Sequence, residues 1–427
     1  MEAIFTIVAK NYIPLAKVLG DSICKHHPDT PFYIVVADTA DGLIDFSNQA
    51  YPIIPSEDLS IPSMKELAFK YNVTEFCTAL KPFAYKYFFQ KGYNKVLYFD
   101  PDIYVFSPLN KIYGELDSAS MVITPHYQTP EPIYSGIFRE GNILFAGIFN
   151  LGFCGISNTI EGNRIIEWWC QRLQSHCYAD RTDGLHVDQK WVDFIPVLFS
   201  HVHVERGLGY NIAIWNWHER EISYHDDKYW VKNRITGGAE EPVIFYHYSN
   251  YKFKLANSFE NFIPVNSNRF PDIKTISEFY ANLLVQENIS SKLSILKYSF
   301  STFDNNMPVT QFHRRFLRQL LDMNVSFEDP FLTEPQDSFF NILQKSGLIV
   351  YNDSSDKLNE INFKGFDRKI AYINTMAKIT KKILGFERYA LLCKFMFRYV
   401  RPENQLFLLK QDKIKPSFVN ENRYINV

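Results

Sequence analysis

The stretch Lys95–Leu109, KVLYFDPDIYVFSPL, is the part of the chain that decides the fold reading. Its first five residues, Lys95 to Phe99, are mostly apolar and aromatic, as in a strand packed inside a sheet. They deliver Asp100 and Asp102 just past the strand end. Pro101 between them removes an amide donor and stiffens the turn. Two carboxylates one residue apart, at the end of a buried strand, can hold one hard cation. A solvated turn is the plainer reading of three such residues alone.

Toward the N-terminus, an apolar strand (Ile4 to Ala9), an amphipathic segment (Pro14 to His26), a Pro-Asp turn and a second strand, FYIVVAD ending at Asp38, form a βαβ unit. Both strands are continuously apolar, which predicts a parallel sheet covered by helices on both faces. Ligands of such sheets bind beyond the carboxyl ends of the strands, so Lys10, Asn11, Tyr12 and Asp38 fall where a nucleotide could sit. No GxGxxG follows the first strand, which argues against a dinucleotide cofactor.

Toward the C-terminus, TEFCTALKPFAYKYFFQKG (74–92) reads as helical, closed by Gly92. Strands are expected at SMVITP (120–125), across NILFAGIFNLGFCGIS (142–157) and at VIFYHYS (243–249), with a helix around Arg164 to Ser175. Beyond about residue 260 the pattern turns helical, with an Asn-Asn-Met-Pro break at 305–308 and a polar loop around Asn352 to Asp356. The expected division is therefore 1–260 and 261–427.

The bulk numbers fit an enzyme-sized globular chain. Its 427 residues are 46% hydrophobic and 22% charged, enough for two or three cores. A net charge of −2 offers a polyanion no long-range attraction, which disfavours nucleic acid as the main partner. The six cysteines form no CxxC pair and suit a reducing, cytoplasmic compartment. The opening MEAIFTIVAK does not read as a secretory leader, and no stretch reaches the apolar length of a membrane span.

With its flanking strands, the DPD segment resembles the strand–DxD–strand signature of GT-A-fold glycosyltransferases, particularly bacterial enzymes similar to glycosyltransferase family 8. The likeness continues in order through FNLGFCGIS (149–157), EWWCQRLQSHC (167–177), HVDQKWVDFIP (186–196), GYNIAIWNWHERE (209–221) and IFYHYSNY (244–251). Six blocks in one order are far more specific than any one of them.

The resemblance implies a GT-A (Rossmann-like) α/β sheet with a C-terminal helical extension, and transfer of a hexose-type sugar from a nucleotide-diphosphate donor, UDP foremost. A saccharide or lipid-linked saccharide is the implied acceptor, in building a bacterial surface glycan. Asp100, Asp102 and His247 are the implied metal ligands, a set that suits Mn²⁺ or Mg²⁺. Lys81, Asn150 and Gly152 are carried over as donor contacts, and Asp188 with Gln189 as the pair against the transferred sugar. Asn211, Trp215, Asn216, Trp217 and His218 form a cluster able to stack on and hydrogen-bond an acceptor, with core packing as the alternative. Family 8 enzymes retain anomeric configuration, which makes Asp188 the expected stabiliser of the oxocarbenium-like state. One departure is Lys10, where many members carry an acidic or small polar residue.

Two rivals remain open at this point. A sugar-phosphate nucleotidyltransferase would want a glycine-rich loop where VAKNYIPL stands. A non-catalytic carbohydrate-binding protein on the same fold would be expected to let the metal set decay. Finally, the basic residues between Lys378 and Arg401 alternate with apolar ones. That pattern fits an ordinary docked helix, the favoured reading, or contact with an anionic membrane.

Overall fold

The computed structural model describes residues 1–410 apart from 40, 41, 43, 131–134, 266 and 352–364, so the polar loop expected at Asn352 lies outside the described residues. The chain divides into two compact units, residues 1–62 with 73–299, and residues 63–72 with 300–427.

The first unit is built on seven strands: β1 (Glu2–Val8), β2 (Phe32–Val36), β3 (Ile53–Pro55), β4 (Lys95–Phe99), β6 (Met121–Pro125), β7 (Phe149–Ser157) and β10 (Val202–Val204), following in space the order β10-β6-β7-β4-β1-β2-β3. All neighbours run parallel except β7, which is antiparallel to both β4 and β6. The short β5 (Ile103–Val105) leaves this sheet and pairs antiparallel with β14 (Phe245–His247), so that Ile103 stands opposite His247. A two-residue hairpin, β8 (Ala179–Asp180) with β9 (Leu185–His186), and an antiparallel sheet of β11 (Arg220–His225), β12 (Lys228–Asn233) and β13 (Gly237–Pro242) complete the strands.

Both faces of the main sheet are covered, as continuous apolar strands require. Ile4 and Val8 of β1 pack with Ile13, Ala16, Leu19 and Ile23 of the helix Ile13–Cys24. On the opposite face Phe5 meets Tyr85 and Phe88 of the helix Lys81–Gln90. A second core gathers Trp217, Tyr246, Tyr248 and Tyr280 around the helix Ile273–Gln286. This is the expected α/β architecture, a mainly parallel sheet with helices on both faces, with helical segments toward the C-terminus.

Three local expectations need correction. Glu140–Ala146 is a helix, and the strand begins only at Phe149; Gly147, at φ 114°, breaks the chain between them. The segment 74–92 is two helices, Val73–Ala79 and Lys81–Gln90, rather than one. The sheet β11–β13 was not anticipated, because every residue of β13 (GGAEEP) is exposed and no apolar alternation marks it.

In the second unit, Arg314 on the helix Gln311–Asp322 donates to the carbonyls of Ala68, Phe69, Tyr71 and Phe300, satisfying the end of the helix Met64–Lys70. Arg318 pairs with Glu403 at 3.1 Å, both buried. Two long helices, Phe366–Leu384 and Phe386–Tyr399, follow. No helix among the described residues is long and apolar enough to cross a membrane.

Candidate active site

The site forms where β4 ends. Asp100 donates its backbone N–H to the carbonyl of Gly152 on antiparallel β7 at 2.7 Å, and Ile103 returns a turn bond to Asp100. The β6–β7 register slips between Ile123 and Thr124, which pair with Cys154 and Asn150, so β7 bulges over Leu151–Phe153. Bulges re-aim side chains, and this one sets Asn150 and Gly152 beside the DPD turn.

Asp100, Asp102 and His247 present ligand atoms that all lie within 4.8 Å of one another. His247 Nε2 is 3.1 Å from Asp102 Oδ1 and 3.8 Å from Asp100 Oδ2. The imidazole is buried, whereas both carboxylates are partly open to solvent. Burial lowers the His247 pKa, but the charges of Asp102 and Asp100 outweigh it and the net direction is upward. Two carboxylates and an imidazole so placed fit a divalent cation in chemistry and in spacing.

Glycine at 152 is what allows this. A Cβ there would stand 2.3 Å from His247 Cε1 and 2.6 Å from its Nδ1. The ring is held from its other sides by Asn211, whose Oδ1 is 3.3 Å from Nδ1, and by the edge-on indole of Trp215 at 5.1 Å. Asn211 also donates to Asn150 Oδ1 and Thr124 Oγ1. Such supports fix a ligand's orientation.

Beside the carboxylates lies a buried ion pair. Lys81 Nζ is 2.7 Å from Asp188 Oδ2 and 4.0 Å from Asp100 Oδ1, and it donates to the Leu151 carbonyl at 2.7 Å. Burial works against the Lys81 charge, yet Asp188 and Asp100 hold its pKa above the ordinary value. Burial raises the Asp188 carboxyl, and the Lys81 ammonium pulls it back. The ammonium also sits 4.3 Å from the Tyr98 ring, and the Tyr98 hydroxyl donates to Asp100. Gln189 Oε1 accepts from Asn150 Nδ2 and the Leu151 amide, and its Nε2 donates to the Ala146 carbonyl. Asp188 and Gln189 are therefore held beside the Asp100–Asp102–His247 set, through Lys81 and through Asn150 and Leu151.

The remaining sequence candidates divide. Tyr12 is half-buried, and burial together with the Asp102 charge pushes its phenol up, which places it in the field of the cluster. Asn11 donates to the Leu293 carbonyl. Lys10 and Asp38 are buried at the ends of β1 and β2, paired at 3.7 Å, and Lys10 Nζ donates to Ser299 Oγ. Trp215 touches both His247 and His126. Asn216 is spent inside the chain, donating to the carbonyls of His126 and Asn211 and accepting from the Ala213 amide. Trp217 is wholly buried, with its indole N–H on the Tyr246 hydroxyl. His218 is buried against Tyr127.

Three members were not singled out in the sequence. Tyr98 read as a strand residue and Thr124 as part of SMVITP. His126 is a third, lying one residue beyond that strand: its Nδ1 is 3.2 Å from the Ile148 carbonyl, its Nε2 3.4 Å from Asn150 Nδ2, and burial lowers its pKa to about 4. Neutral, it accepts from Asn150 through Nε2 while Nδ1–H serves Ile148.

No family model matches the chain. Among curated proteins it is similar to two from Bacillus subtilis (strain 168). Uncharacterized protein YfnD is 27% identical over 270 residues, 60% of this chain and 79% of that protein. Uncharacterized protein YfnF is 23% identical over 297 residues, 66% of this chain and 91% of that protein. Among solved structures it is similar to the galactosyltransferase LgtC in complex with donor and acceptor sugar analogs, at 16% identity over 70% of this chain and 98% of that one, with a TM-score of 0.38. The glycosyltransferase GlyE of Streptococcus pneumoniae TIGR4 gives 15% identity over 70% and 66%, TM-score 0.36, and mouse xyloside xylosyltransferase 1 gives 12% over 58% and 98%, TM-score 0.36. These likenesses are distant, and the functional reading rests on the residues of the site itself.

Proposed function

We propose that the chain transfers a sugar from a nucleoside-diphosphate sugar, UDP being the leading carrier, to a saccharide or lipid-linked saccharide acceptor in the assembly of a surface glycan. The observation that carries the proposal is the convergence of Asp100, Asp102 and His247 at the carboxyl end of a parallel strand, with the Lys81–Asp188 pair buried beside them. These three residues would hold the cation, Mn²⁺ or Mg²⁺. When bound, it offsets the negative charge that develops on a departing diphosphate.

The chain's own groups supply the rest. Lys81, kept charged in a dry setting, adds fixed positive potential next to Asp100 and orients the Asp188 carboxylate. Asp188, carrying no solvent of its own, is assigned to the sugar's developing positive charge, in line with retention of configuration. Gln189, held by three hydrogen bonds, is assigned to orienting the sugar beside it. Asn150 holds the β7 bulge that brings Gly152 under His247. Asn11 and Tyr12 are assigned to the nucleotide; Lys10 and Asp38, paired with each other, shape the floor beneath it. Trp215 is the acceptor cluster's member that touches the metal set, which makes its ring the first choice for an acceptor contact.

Asp102→Asn tests the proposal. The amide is a far poorer ligand for a hard cation, so metal-dependent donor hydrolysis and transfer should vanish while the circular dichroism spectrum is unchanged. Full activity in that variant would remove the proposal.

A further inference from the structure

The helices Phe366–Leu384 and Phe386–Tyr399 bury none of their residues. An ordinary docked helix buries one face, so the reading favoured by sequence pattern does not describe them. They pack on each other across Gly385, which sits at φ 77°, a backbone conformation that admits glycine readily. What they leave open is strongly apolar. Tyr372, Met376, Ile379 and Ile383, spaced by four, three and four residues, form one stripe, and Leu391 and Phe395 form another; Ile383 is 76% exposed and Tyr372 69%. Monomeric proteins seldom leave so many large apolar side chains in water together.

On the first helix Lys381 lies opposite this stripe, Lys378 and Lys382 flank it, and Arg368, four residues before Tyr372, stands at its head. Across residues 366–399 there are eight basic residues against two acidic ones, a net +6 in a chain whose total is −2. A second copy of this surface would bring +6 against +6, so self-association through it is opposed by charge. An apolar stripe flanked by lysine and arginine, on helices that do not span a bilayer, matches the chemistry of an interface whose headgroups are negative and whose interior is hydrocarbon.

We propose that this helical hairpin is the seat for an anionic lipid bilayer surface. Its apolar stripes enter the headgroup–acyl boundary and the lysines and arginines face the phosphates. The inference does not depend on the catalytic reading, and its test has no activity readout.

The experiment is flotation of the full chain with vesicles of phosphatidylcholine alone and of phosphatidylcholine mixed with phosphatidylglycerol. The protein should float with the mixed vesicles only, and release when salt is raised to about 1 M, where screening shortens to ~3 Å. Lys381→Ala with Lys382→Ala should lower the partition coefficient on the order of 30-fold, at roughly fivefold per lysine near an anionic surface. Ile379→Glu with Phe395→Glu, both at exposed positions, should abolish flotation with melting unchanged. Failure of the parent chain to float with anionic vesicles, or equal flotation with neutral ones, overturns the proposal. So does a dimer in sedimentation velocity that Ile379→Glu dissolves, since the face would then belong to a second copy.

Discussion

Gly152→Ala puts one methyl group where the structure has room for none. Its Cβ would lie 2.3 Å from His247 Cε1, and ordinary contact begins at 3.4 Å, so the imidazole must retreat by about 1 Å. It has little freedom to do so, because Asn211 holds its Nδ1 and Trp215 stands against its ring. Overpacking of this kind costs about 1–3 kcal/mol. Metal–ligand distances tolerate only about 0.2 Å, so losing the support of one ligand should lower cation affinity about 10–100-fold. Titration calorimetry of the chelator-treated protein with Mn²⁺ measures this. Gly155→Ala on the same strand is the control: its Cβ would meet Leu97 Cδ2 at 2.7 Å, in the core, and should cost stability without touching metal affinity. A Gly152→Ala protein that binds Mn²⁺ within about twofold of the parent would refute the inference that this close approach positions His247.

Removing the ammonium by Lys81→Met leaves Asp188 buried without its partner, at a cost of about 3–5 kcal/mol in urea unfolding. Adding Asp188→Asn should recover much of that stability but not turnover, and a single variant as stable as the parent would contradict the pairing. His126 has a folded pKa of about 4 against an ordinary 6.5, so its neutral form stabilises the fold above pH 6.5 and that contribution is lost as pH falls toward 4. The loss amounts to roughly 3 kcal/mol, and melting curves of His126→Asn should show a shallower acid limb than the parent. An identical acid limb would remove His126 as its source.

Much of this architecture was legible in local pattern. The run Lys95–Phe99 ending on Asp100 and Asp102 carried its strand, its turn and two candidate ligands within eight residues. The βαβ unit before it showed in apolar periodicity alone. Gly152 entered as a donor contact carried over from the resemblance, and its packing against His247 could not be read from residue type. What pattern missed depends on contacts far apart in sequence. Nothing near Lys81 announces Asp188, 107 residues away, and nothing in SMVITP announces that the next residue, His126, will brace Asn150. The apolar run NILFAGI read as strand because short apolar runs suit either state, and only Gly147 separates helix from strand there. Trp217 looked like a sugar platform by composition, whereas its burial follows from Tyr246 and Phe270, which arrive from elsewhere in the chain.

The central claim is that Asp100, Asp102 and His247 bind a nucleoside diphosphate through a cation. Calorimetric titration with UDP, GDP, ADP and CMP, each with Mn²⁺ and with chelator, tests it most directly. The account predicts binding of one nucleotide, UDP foremost, in the presence of metal and its loss with chelator. Absence of metal-dependent binding to any of the four would contradict the account and leave the DPD segment as a structural turn.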